Sequence, residues 1–137
     1  MRRARGLTLV ELLLVLAAAG VLAAVAWPSW QQQLVKSRRA DATAALQGLQ
    51  AAQAGYHAAH GMYAPDLRSL GGAAAAGSSP QGLYRLALQV GPGELYVATA
   101  HPRPDGPQAG DAACATITLR VELGFAERGP SADCWRR

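Results

Sequence analysis

Residues 7–27 form a predominantly apolar run, LTLVELLLVLAAAGVLAAVAW, whose only charge is Glu11. A run of that length and composition has what a membrane span needs. A carboxylate inside it is expensive, roughly 2.5–3.5 kcal/mol at a bilayer centre and less near an interface. Glu11 therefore calls for a function. Of the 137 residues, those after the run leave room for one small head domain. A domain of that size buries a modest core and is often stapled.

Arg2, Arg3 and Arg5 precede the run. Positive charge beside an apolar segment stays on the cytoplasmic side, which sends everything after Trp27 outward. Both cysteines, Cys114 and Cys134, then lie in an oxidising compartment, where a disulfide is expected. Closing a loop of that length stabilises a domain by roughly 3 kcal/mol in the chain-entropy model. The net charge of +4 does not signal a nucleic-acid partner. Without the three leading arginines, 10 basic residues face 9 acidic ones. Lys36, Arg38 and Arg39 read as a solvated helix face. There is no Asn in the chain, hence no N-glycosylation site and no Asn-Gly hairpin turn.

A secretory signal peptide is the competing reading, and Ala24-Val25-Ala26 resembles its cleavage site. The run exceeds a usual signal-peptide core, Glu11 charges it, and helical pattern continues beyond the cut. The residues Arg5-Gly6-Leu7-Thr8-Leu9-Val10-Glu11-Leu12 instead resemble the class III signal of type IV pilins and related pseudopilins. That resemblance implies cleavage by prepilin peptidase between Gly6 and Leu7, N-methylation of Leu7, and an assembly role for Glu11 with Thr8. Leu7 departs from the family's usual Phe. Gly20 and Pro28 stand where pilin helices often carry Gly and Pro, and Gly61-Met62-Tyr63-Ala64-Pro65-Asp66-Leu67 resembles the start of the pilin αβ loop. The tail, with Tyr96-Val97-Ala98-Thr99-Ala100, Cys114, Gly124 and Asp133-Cys134-Trp135-Arg136, is similar to PilE-type minor pilins.

Elementary chemistry agrees with the motif. Cleavage would create a charged α-amine that needs a partner in apolar surroundings. Glu11 is one helical turn along. It can meet its own amine or, as the resemblance implies, that of a neighbouring subunit. The second pairing sets register, because other axial positions leave a buried charge uncompensated.

The sequence predicts α+β architecture: one long N-terminal helix, membrane-spanning in its first half, packed on a small antiparallel β-meander with a C-terminal disulfide loop. Residues 1–6 read as a cleaved leader, 7–28 as the transmembrane and filament-core helix, 29–60 as its amphipathic continuation and 61–137 as the head. Trp30, Leu34, Ala42, Leu46, Leu49, Ala52 and Tyr56 form a helical stripe, with Gln31, Gln32, Arg38, Arg39, Asp41, Gln47 and Gln50 on the other positions. Pro28 removes a backbone donor and predicts a kink; Gly20 is a second weak point. Residues 61–82 read as loop, low in complexity across 71–80. Strand-like runs follow at 83–90, 94–101 and 115–122, with a short fourth near 125–128.

No catalytic constellation, cofactor site or metal site follows from spacing. His57 and His60 share a helix face, yet further ligands are missing. Tyr56, Tyr63 and Tyr84 read as core or interface. The expected function is a structural subunit of a type IV pilus, a minor pilin without enzymatic activity. By resemblance its partners are other pilins, prepilin peptidase, and an inner-membrane platform with its motor ATPase. It would sit in the bacterial inner membrane, head in the periplasm, and then in an extracellular pilus. The alternatives are a type II secretion pseudopilin and a DNA-uptake receptor pilin, the latter drawing on Arg120, Arg128, Arg136 and Arg137.

Overall fold

The computed structural model describes residues 8–136. Residues 1–34 and 35–137 form separate compact units. One helix, α1 (Leu9–His60), contributes to both. Its helical assignment is uninterrupted at Gly20 and Pro28. The last turn of α1 closes on Gly61, at φ 73, whose N–H donates to the His57 carbonyl at 2.8 Å. A left-handed residue there favours glycine.

In the second unit the sheet has four antiparallel strands in sequential order: β1 (Tyr84–Gly91), β2 (Leu95–Pro102), β3 (Ile117–Glu122) and β4 (Phe125–Gly129). The predicted meander is therefore present, each strand within two residues of its expected bounds. Tyr84 and Leu86, then Tyr96, Ala98 and Ala100, then Ile117, Leu119 and Val121 alternate onto one face. Register aligns them: Leu86 faces Ala100, Ala98 faces Leu119, and Tyr96 faces Val121. Ala42, Leu46 and Leu49 of α1 join these residues in one core. Small Ala98 and Ala100, in the middle strand of that face, leave room for the helix. The β3–β4 hairpin turns through Leu123 (φ 50) and Gly124 (φ 83). Two positive φ values are what a two-residue hairpin turn needs. In a chain without Asn, Leu123 takes one of them.

Several expectations change. The segment 61–82 is not wholly irregular: it holds α2 (Leu67–Leu70) and α3 (Gly72–Ala75). Asp66 caps α2 by accepting the Ser69 N–H at 2.8 Å. This bond holds the Asp66 carboxyl below its usual value. A short helix, α4 (Ala132–Trp135), closes the tail.

The helix stripe also differs. Arg39 and Asp41, read as solvated, are 8% and 3% exposed. Trp30, read as part of the packing stripe, is 61% exposed, and Gln53 is fully buried instead. Buried polar groups persist only when paired, and each of these three is. Arg39 makes a two-pronged contact with Asp111, Nε to Oδ2 at 2.7 Å and Nη2 to Oδ1 at 2.8 Å. Asp41 accepts from the Ser79 hydroxyl, the Gln81 N–H at 2.9 Å and the Leu83 N–H at 3.4 Å. Gln53 receives the Ala64 N–H at 2.8 Å and donates to its carbonyl at 3.1 Å. Three polar side chains of α1 thus fix the loops that flank the sheet.

Candidate functional site

The first unit carries the motif residues. Gly6 and Leu7, the expected cleavage and methylation positions, lie outside the described residues, as do Arg2, Arg3 and Arg5. Thr8 precedes α1, and its hydroxyl accepts the Glu11 N–H at 3.2 Å. That bond satisfies one of the backbone donors a helix start leaves open. Glu11 is exposed in the first turn of α1. Its carboxylate is therefore placed where the partial positive charge of the helix start is strongest.

Apart from Glu11 the helix from Leu9 to Trp27 is apolar all round and exposed. Leu9, Val10, Leu12, Leu16, Leu22 and Val25 are each 59–74% exposed, Leu12 excepted at 52%. One stretch of 18 residues reaches a mean hydropathy of 2.6 with none of it buried. Exposed apolar surface on that scale marks an interaction surface. By length and composition, α1 can cross a bilayer.

In the second unit Cys114 and Cys134 form the expected disulfide, their Cα atoms 5.8 Å apart. It joins the 3-10 turn (Ala112–Cys114) to α4. The arginines singled out from the sequence are engaged. Arg120 donates to Glu122 at 2.7 Å, a hydrogen bond that raises the guanidinium pKa. Arg128 lies 5.3 Å from the ring centroid of Trp135, and Arg136 is 3.5 Å from Asp133. Arg137 is outside the described residues. A different basic pair went unnoticed: Arg85 stands opposite His101 in the β1–β2 register, both exposed. Only strand register could have revealed it, since they are 16 positions apart.

Among the described residues no three His, Cys, Asp or Glu side chains gather to hold a metal ion. His60 Nδ1 faces the Tyr56 carbonyl at 3.0 Å, and its ring stacks on Tyr56. His57 is 3.5 Å from Glu94 and packs against Tyr63, which meets Tyr96 edge-on. Tyr84 is buried, and its hydroxyl accepts from Gln108 at 3.0 Å.

Two family models cover this chain. Residues 1–27 match the prokaryotic N-terminal methylation motif. Residues 28–118, more than half of the chain, match the family described as type IV minor pilin ComP, DNA uptake sequence receptor. The chain belongs to the type IV pilin family. It is 35% identical over 86 residues to the type IV major pilin protein PilE of Neisseria gonorrhoeae, covering 63% of this chain and 50% of that one. A gonococcal PilE1 is 32% identical over 102 residues, or 74% of this chain and 45% of its own length. The fimbrial protein of Neisseria meningitidis serogroup B is 33% identical over 86 residues, covering 63% and 49%. The pilin described here spans about half the length of these curated relatives. Its disulfide, four-stranded sheet and long helix are those expected of a pilin fold. The family is one of structural subunits.

Proposed function

We propose that this chain is a minor subunit of a type IV pilus. The observation that supports it most is the bare apolar first half of α1, with a single carboxylate one turn from the expected new amine. Before assembly the chain waits in the inner membrane, N-terminus cytoplasmic and head periplasmic. Prepilin peptidase cuts between Gly6 and Leu7, and Leu7 is N-methylated. The subunit then joins a filament extruded by an inner-membrane platform and its motor ATPase. In that filament the apolar helices supply cohesion by packing, and Glu11 pairs with the Leu7 amine of a neighbour. Mispairing leaves a charge buried and alone, which costs several kcal/mol, so Glu11 fixes axial position. The stretch between Gly20 and Pro28 loses helicity as the subunit enters the filament. Amide exchange in assembled pili tests that part: full protection across residues 20–28 would refute it.

The main test is mass spectrometry of sheared filaments. A mature N-terminus at methylated Leu7 is the expected result; an N-terminus at Trp27 would restore the signal-peptide reading. In parallel, Glu11→Ala should be cleaved yet absent from pili, and normal incorporation would refute the register role.

A second reading, reception of DNA during uptake, has a specific support in the description of the family matched by residues 28–118. For this chain the basic group available to phosphates is Arg85 rather than the engaged Arg120, Arg128 and Arg136; His101 opposite it meets the Thr116 hydroxyl through Nδ1 at 3.2 Å. Phosphate contacts make binding salt-dependent. Duplex DNA binding that weakens as salt rises, and drops with Arg85→Ala, supports this reading. Binding indifferent to salt and to that substitution would refute it.

A further inference from the structure

Two indoles mark the place where α1 changes character. Trp27 and Trp30 are three residues apart, on neighbouring positions of one helix face, and are 67% and 61% exposed. With Ala23, Ala26 and Gln33 they line one shallow surface groove. N-terminal to them every side chain back to Leu12 is apolar or glycine; C-terminal to them come Gln31, Gln32 and Gln33. An indole has a large apolar body and one N–H donor, which suits it to the layer where hydrocarbon meets headgroups.

Helical rise gives an independent measure. From Glu11 to Trp27 is 16 residues, about 24 Å of helix, and to Trp30 about 28 Å. A bilayer's hydrocarbon core is about 30 Å thick. With the indoles at the outer boundary, Glu11 lies at the inner boundary, beside water. The geometry points to Trp27 and Trp30 as an interfacial anchor that seats this helix in the headgroup layer of the outer face and so holds Glu11 at the opposite surface. The anchor acts on the membrane-resident chain, before any filament forms. It explains how a carboxylate is kept in an apolar run without lying at its most costly depth. Continuity with the bare apolar span favours lipid as the occupant of this face; a second copy of the helix is the competing occupant.

Depth-resolved fluorescence quenching tests this on the full chain in phosphatidylcholine and phosphatidylglycerol vesicles. Trp135→Phe removes the head's indole, and adding Trp27→Phe or Trp30→Phe isolates one reporter at a time. A control chain, Val21→Trp in the triple Phe background, reports the bilayer interior, since Val21 is ten residues, about 15 Å, from Glu11. Bromines placed high on the acyl chain should quench Trp27 and Trp30 severalfold more than bromines near its end, with the reverse order for the control. Two results would overturn the anchor: quenching of Trp27 and Trp30 in the control's order, or no quenching of either while the control is quenched. A disulfide formed in high yield between Ala26→Cys chains in the same vesicles, with the indoles unquenched, would give the face to a second copy. The control separates the anchor from the span itself. A control quenched by no bromine would remove the span and the anchor together. A failed anchor with a buried control leaves the pilin reading intact.

Discussion

Replacing Asp111 by Ala puts the buried pair of the head to a quantitative test. The side chains of Arg39 and Asp111 are 10% and 4% exposed, and two bonds of 2.7 and 2.8 Å join them. The bond to Asp111 raises the Arg39 pKa, with burial opposing it, so the guanidinium stays charged. An exposed pair would contribute about 0.2–1 kcal/mol. Burial changes the arithmetic, because removing one partner strands a charge that water reaches only at its edge, which costs about 3–5 kcal/mol. For a head of roughly 100 residues each kcal/mol shifts the melting point by about 4–8 °C. Asp111→Ala should therefore lower it by at least about 12 °C. Near-ultraviolet circular dichroism of the full chain in detergent micelles reads this, since Tyr84 and Tyr96 sit in the packed core. Arg39→Met with Asp111→Leu should recover most of the loss, because an apolar pair of similar volume strands nothing. A drop under about 4 °C for Asp111→Ala, or a double variant as weak as the single, would refute the reasoning.

Gln53→Leu should cost about 2 kcal/mol or more by leaving the buried Ala64 N–H and carbonyl unpaired, and should accelerate amide exchange at Ala64. Replacing Cys114 and Cys134 by Ser should remove roughly 3 kcal/mol, read as a lower melting point under otherwise identical conditions. Burial lifts the Tyr96 phenol from 10.0 to about 12. Because the folded value exceeds the unfolded one, the head keeps this contribution below pH 10 and loses up to roughly 2–3 kcal/mol as pH climbs through 12. Melting points of the wild type and Tyr96→Phe between pH 9 and 12 check it; parallel curves would count against it.

The long-range frame was legible because its signals are local. Leu46 and Leu49 announce a helix face, Gly61 its end, and Tyr96, Ala98 and Ala100 a strand with one buried side. The motif at residues 5–12 pointed to the pilin family that the family models establish. Arg39 and Asp41 were misread for a physical reason. A charge beside an apolar stripe looks the same in sequence whether water or a distant polar group meets it, and their partners, the Asp111 carboxylate and the Ser79 hydroxyl, lie 72 and 38 positions away. Arg85 and His101 were invisible for the same reason: only strand register sets them face to face. Trp30 was assigned to the packing stripe by its spacing, whereas the packed core takes up α1 only from Ala42 onward.

The loop that leaves α1 is clamped at both ends, and between the clamps Leu67 and Leu70 of α2 pack on the core. Gln53 grips Ala64 near its start, and Asp41 grips Ser79 and Gln81 near its finish. Between these clamps, the alanines at positions 73–76 include no buried side chain. Because chain closure cost rises only slowly with length, this stretch is a natural port for foreign sequence. A short epitope or dye-accepting tag placed there would be displayed on a head whose sheet and disulfide need not move. On a filament subunit, that would make individual copies visible without altering the surfaces that pack.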